Sequence, residues 1–258
     1  MLTLMLGNFV LKAALLLFFP YLAACSPGDE SGKKEKQDSS YEHKAHVLDT
    51  AKRIADYKAL CGRMETKRQS FASAYKAAAA SEKKAVLEKA RKYLDKTLVD
   101  SLFVYWYDTP WDFNGVSQEP LKGQIACGYF VTTTLKQCGF QINRVSMAQC
   151  ASSQLIKATC EKEKIKIITN GQLEKVKTYL ASQPDGIYIV GLDIHVGYIV
   201  KRGKELDMVH SSYWPQRKVV REKFAESLII LENKYFMIGN LLGSESTVKA
   251  WVEHTAIE

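Results

Sequence analysis

Leu87, Ala90, Leu94 and Leu98 recur at spacings of three and four, the apolar stripe of a helix. They predict a helix over about 66–102, preceded by another over 46–62. The alanine run at 77–80, flanked by Lys and Glu, adds helix propensity. A shorter helix is predicted from Gly128 to about Gln137, with Gly139 placed to end it. Further helices are predicted from Met147 to Glu163 and from Leu173 to Ser182. Beyond Pro184 the pattern changes to short β-rich runs at 186–190, 194–201, 206–211, 227–231 and 235–238. Helices first and an antiparallel sheet second is the α+β arrangement.

Between these regions, residues 103–115 read Phe-Val-Tyr-Trp-Tyr-Asp-Thr-Pro-Trp-Asp-Phe-Asn-Gly. So many aromatics beside Pro and Gly predict a cleft wall or a dense corner of the core. The N-terminus differs again. Residues 1–24 carry one charge, Lys12, and an apolar run ends in Leu22-Ala23-Ala24-Cys25. That block resembles a bacterial lipobox, which implies cleavage before Cys25 and a diacylglycerol on its thiol. Residues 25–45, polar and with little to bury, are expected to form a tether.

Composition narrows the function. The net charge of +8 becomes +7 without Lys12, which suits an anionic surface. There is no Walker loop, no G-x-G-x-x-G and no paired Cys/His zinc pattern. No metal, no cofactor and no nucleic-acid partner are therefore expected.

With Cys25 lipidated, five cysteines remain, and one of an odd set is expected to be free. Cys127 is the candidate. It enters a predicted helix, where the positive end of the helix dipole favours thiolate. Cys61, Cys138, Cys150 and Cys160 are left with zero, one or two disulfides. Downstream, His195 and His210 flank a turn at Lys201-Arg202-Gly203-Lys204-Glu205. A two-residue loop at Arg202-Gly203 would set His195 directly opposite His210 on one face. Gly197, on the same face, leaves room for another element to approach. One imidazole beside a thiol and a second group to orient it are what cysteine–histidine chemistry needs.

Read in order, Thr109–Gly115, Gly123-Gln124-Ile125-Ala126-Cys127-Gly128, Arg144-Val145-Ser146-Met147-Ala148-Gln149, Pro184-Asp185-Gly186, His195-Val196-Gly197 and Met208-Val209-His210 form a series. It resembles the NlpC-type cysteine peptidases, papain-like enzymes that cut cell-wall peptides, over roughly 105–240. The resemblance implies an α+β, papain-like fold with the nucleophile at a helix N-terminus on an antiparallel sheet. It implies a catalytic domain over 103–258, with 46–102 as a helical extension. It makes Cys127 the nucleophile, His195 the general base and His210 the orienting third residue. Trp111, Asn114 and Gly128 then fall along the oxyanion and substrate-binding region. The family's usual Asp-Cys-Ser-Gly is replaced here by Ala126-Cys127-Gly128. The expected protein is a lipid-anchored peptidoglycan endopeptidase of the bacterial envelope, at the outer membrane facing the periplasm. Its partners would be a wall peptide and, through the lipid, a membrane. The alternatives are a thiol acyl or amide transferase, and a catalytically silent envelope scaffold.

Overall fold

The computed structural model describes residues 39–257. The signal segment 1–24 and Cys25 lie outside them. Helix α1 (Ser39–Ala77) and helix α2 (Lys83–Thr97) form a hairpin, and the chain continues through one π-helical turn, Leu98–Leu102, into α3 (Phe103–Trp106). Then follow α4 (Cys127–Gln137), β1 (Gln141–Ile142), α5 (Arg144–Gln149), α6 (Ser152–Thr159), β2 (Ile165–Ile168) and α7 (Leu173–Ser182). The chain ends in β3 (Gly186–Gly191), β4 (Val196–Arg202), β5 (Glu205–Ser211), β6 (Val219–Lys223), α8 (Leu228–Leu231), β7 (Phe236–Asn240), α9 (Glu245–Glu253) and β8 (Ala256–Ile257).

The main sheet has six strands in the order β2-β7-β3-β4-β5-β6, every pair antiparallel. The fold is therefore α+β, as the pattern predicts. Alternation along the central strands sends Ile187, Ile189, Tyr198, Val200 and Val209 into one core and Tyr188, Val190, Ile199 and Met208 into another. The first core lies under α1, α2, α4 and α9, and the second under α7 and α8. Burial on both faces is why β3 reads as a continuous apolar run.

Several boundaries differ from the expectations. Helix α1 begins at Ser39, inside the stretch predicted as tether, where Glu, Lys and Ala favour helix and no Pro or Gly intervenes. It also runs unbroken through 62–66, and the chain reverses instead within the alanine run. There Glu82 accepts the Ala79 N–H at 3.2 Å and its own N–H donates to the Ala79 carbonyl. Propensity yields to packing, because the reversal lets Leu87, Ala90 and Leu94 bury against the rest of the core. The helical extension packs into the same core as the rest of the chain: Tyr57, Met64 and Leu94 lie in one cluster with Phe130, Tyr198 and Trp251. Phe103 and Trp106 belong to that core as well, so the first half of the aromatic stretch is packing.

The predicted helix over 147–163 is two helices, broken at Cys150-Ala151, where Cys150 is extended. The run at 227–231 is α8 rather than a strand. The Ser227 carbonyl accepts from the Ile230 and Leu231 N–H groups, and Ile229 and Ile230 bury against the second core. A four-residue apolar run does not declare its period. Helix α4, in contrast, ends as predicted. Gly139 has φ +106°, Gly139 N–H donates to Lys136 and Phe140 N–H to Leu135, a Schellman cap. All five described cysteines are free, so no disulfide is present among the described residues.

Candidate active site

Cys127 is the first residue of α4, and the chain leading to it is held from three sides. The Ile125 N–H donates to the Pro110 carbonyl, the Ala126 N–H to the Gly115 carbonyl, and the Ser211 hydroxyl of β5 to the Ile125 carbonyl at 2.6 Å. Helix α4 sits on the sheet through Tyr198 of β4, whose hydroxyl is 2.9 Å from Thr134 Oγ1 and donates to the Val131 carbonyl. Helix α5 crosses close by. A Cβ at position 128 would come within 2.3 Å of the Ala148 carbonyl oxygen, so Gly128 is demanded by helix packing. Arg144 locks this corner, donating to Thr133 Oγ1 and to the Val116 and Ser117 carbonyls.

The two histidines meet, but not in the expected register. Arg202 pairs with Glu205 and Tyr198 with Val209, so the hairpin loop is Gly203-Lys204. Gly203 has φ +55°, the first-position glycine that a II′ turn requires. Pairing is shifted by two residues from the Arg202-Gly203 loop, which preserves side-chain parity. His210 therefore stands opposite Gly197, and His195 lies one residue before β4. A Cβ on Gly197 would approach His210 Cβ to 2.8 Å, so the glycine makes room for the imidazole itself. His195 Nε2 and His210 Nδ1 are 2.8 Å apart, with the rings near perpendicular.

The relay extends one residue further than the sequence disclosed. His210 Nε2 lies 3.0 Å from Glu222 Oε1 on β6. Burial raises the Glu222 pKa, but hydrogen bonds from His210 and Gln216 outweigh it and hold the carboxyl below its ordinary value. An ionised carboxylate only accepts. With His210 donating from Nε2 to this carboxylate and accepting at Nδ1, His195 donates from Nε2. His195 Nδ1 is left with a lone pair. That nitrogen is buried and has no hydrogen-bond partner among the described residues. Strand β6 is a charged edge strand, Val-Val-Arg-Glu-Lys, without clear alternation, which is why Glu222 went unseen.

Cys127 and His195 line one cleft of about 710 Å³, together with Trp111, Asn114, Gly128 and Tyr213. Tyr213 is the other residue missed. Its ring packs 5.4 Å from His195 and 6.2 Å from Trp111, and the tail Ser211-Ser212-Tyr213 directly following His210 was the available signal. The Arg217 guanidinium lies over the Trp111 indole, 4.9 Å from its centroid. Cys61, Cys138, Cys150 and Cys160 are not among the residues of this cleft.

The expected thiolate is not the resting form. Burial pushes the Cys127 thiol above its ordinary value of 9.0, outweighing backbone hydrogen bonds from Val196 and Gly128. Burial, assisted by His210, holds His195 well below 6.5. The pair rests as thiol and neutral imidazole, so any attack by the sulfur would require the thiol to give up its proton first. A stability consequence follows. Below about pH 6.5 the unfolded chain takes up a proton at position 195 that the folded chain refuses, so stability falls as pH drops. Glu222 acts with the same sign at lower pH, its contribution present above 4.5 and lost as pH falls through its depressed folded value. Melting temperature should decline between pH 7.5 and 5.5, and His195→Gln should flatten that slope. An unchanged slope in the variant would assign it elsewhere.

If Cys127 attacks a carbonyl with His195 as its base, Glu222 acts through the His210 tautomer rather than on the substrate. Glu222→Ala should slow acylation on the order of tenfold to hundredfold, less than the ~10⁴ known when the direct partner of a catalytic histidine is changed. Glu222→Gln, which can still accept from His210, should recover part of the rate. A merely structural role would leave the acid limb of the pH–rate profile in place, whereas loss of the carboxylate should move it. No protein family, curated protein or solved structure matches the chain.

Proposed function

We propose that this protein is a lipid-anchored cysteine hydrolase of the NlpC type, with a papain-like catalytic fold, that cuts peptide bonds in peptidoglycan stem peptides. The observation that carries the reading is the buried, unpartnered Nδ1 of His195, in the cleft that also holds Cys127, with the His210–Glu222 relay engaging its other ring nitrogen. In the proposed reaction, the Cys127 proton passes to His195 Nδ1 as sulfur bonds the scissile carbonyl carbon. The oxyanion takes hydrogen bonds from the Cys127 N–H, one of the unpaired donors of the first turn of α4, and from the Trp111 indole. Collapse breaks the C–N bond, and the leaving amine takes the proton from His195. Water, deprotonated by His195, then attacks the thioester and frees Cys127. The lipobox-like Leu22-Ala23-Ala24-Cys25 supports an anchor in the outer membrane, facing the periplasm.

The test is digestion of purified wall fragments by the full chain, with mass analysis of the products. New peptide ends formed by the native chain and absent with Cys127→Ala are expected. Equal products from both would remove Cys127 from the reaction, and no products from either would favour the silent scaffold.

A further inference from the structure

The walls of the Cys127 cleft are mainly aromatic and aliphatic, through Trp111, Phe113, Val116, Tyr129, Ile194 and Tyr213, with Asn114, Gln149 and His195 as further polar side chains. No Asp, Glu, Lys or Arg is among the lining residues. Phe113 and Ile194 are each 79% exposed, which is unusual for large apolar side chains set together around one opening. They are not loose. Phe113 sits in a turn where Asp112 Oδ1 accepts the Asn114 N–H at 2.8 Å and the Asp112 carbonyl accepts the Gly115 N–H. Ile194 sits in a turn where Asp193 Oδ2 accepts the Lys234 N–H and the Asp193 N–H donates to Asn233 Oδ1, both at 2.9 Å. The carboxylates adjoining both apolar residues are thus engaged with backbone. On either side of the nucleophile, Ala126 and Gly128 offer no polar group, and the Ala148 carbonyl leaves Gly128 no room to gain one. A charged group entering here would lose hydration and find no counter-charge in the lining.

We infer that the substrate presents an uncharged, apolar acyl group to this cleft, its side chain lying between Phe113 and Ile194 as Cys127 attacks the adjoining carbonyl. The inference rests on the proposed cysteine hydrolase and specifies which acyl halves it accepts. An apolar aminoacyl residue and an alkyl chain share this chemistry.

The test is alkylation of Cys127 in the full chain by chloroacetamides of similar size, in which the thiolate displaces chloride. The N-substituents are hexyl, leucinamide, carboxypentyl and aminohexyl, and each rate is divided by that with N-acetylcysteine. Peptide mapping reads the site. The hexyl and leucinamide reagents should outpace both charged ones by about tenfold or more. Whichever of the two is faster tells an alkyl from an aminoacyl occupant. Ile194→Lys should shift the preference toward the carboxylate reagent. Equal normalised rates for apolar and charged reagents would overturn the inference while leaving the nucleophile intact. No labelling of Cys127 by any reagent would overturn the proposed hydrolase together with it.

Discussion

Cys127→Ala should lower hydrolysis of wall fragments by about a thousandfold or more, the scale on which nucleophile removal acts in comparable covalent mechanisms. Cys127→Ser should fall nearly as far. The hydroxyl keeps the volume but is a weaker nucleophile, and a site built to desolvate a thiol does not ionise it. His195→Ala should remove about 10²–10⁴-fold, the range of a positioned general base. The double variant should be little worse than Cys127→Ala alone, because the two act as one unit. Steady-state rates on a defined fragment, with melting curves to show that each variant folds, would check this. Full activity in Cys127→Ser would end the proposed mechanism. The resting thiol–imidazole pair adds a second signature: alkylation of the free protein at Cys127 should keep accelerating with pH past 9, without the low-pH plateau of a preformed ion pair.

Trp106→Ala should be the most destabilising single truncation between the helical hairpin and the sheet domain, by about 3–5 kcal/mol. Trp106 is fully buried, and its indole donates to the Tyr57 hydroxyl of α1 at 2.7 Å. Its ring meets Tyr57 and Phe130 edge-on, at 5.9 and 6.2 Å, so it joins α1 to the helix that carries Cys127. Truncation leaves a large cavity and removes a donor from a buried hydroxyl. At about 2–4 °C per kcal/mol for a chain of this size, the melting temperature should fall by about 6–20 °C. Val104→Ala, on the exposed side of the same short helix, should stay within about 0.5 kcal/mol. A small effect of Trp106→Ala would mean that the hairpin adds little to the stability of the site.

What the chain alone determined is what short-range geometry determines. Helix α4 starts at Cys127 and stops at Gly139 because an extended Ala126 precedes it and a left-handed glycine ends it. His195 and His210 share a face because a two-residue loop fixes parity, so a register two residues away from the expected one still brings them together. Propensity and alternation act over a few residues and are written locally. The chain reversal at 78–82, the break at Cys150-Ala151 and the helical 228–231 were decided by tertiary packing, where burying a face outweighs a few tenths of a kcal/mol of propensity per residue. The same is true of the chemistry. Glu222 joins the relay only because β6 pairs with β5 and places it diagonal to His210. Cys127 rests as a thiol because burial, which no local pattern encodes, outweighs the start of its helix. Charge states and long-range partners depend on what surrounds a group in space, and for this site those surroundings come from segments up to about a hundred residues apart in the chain, as Cys127 and Glu222 are.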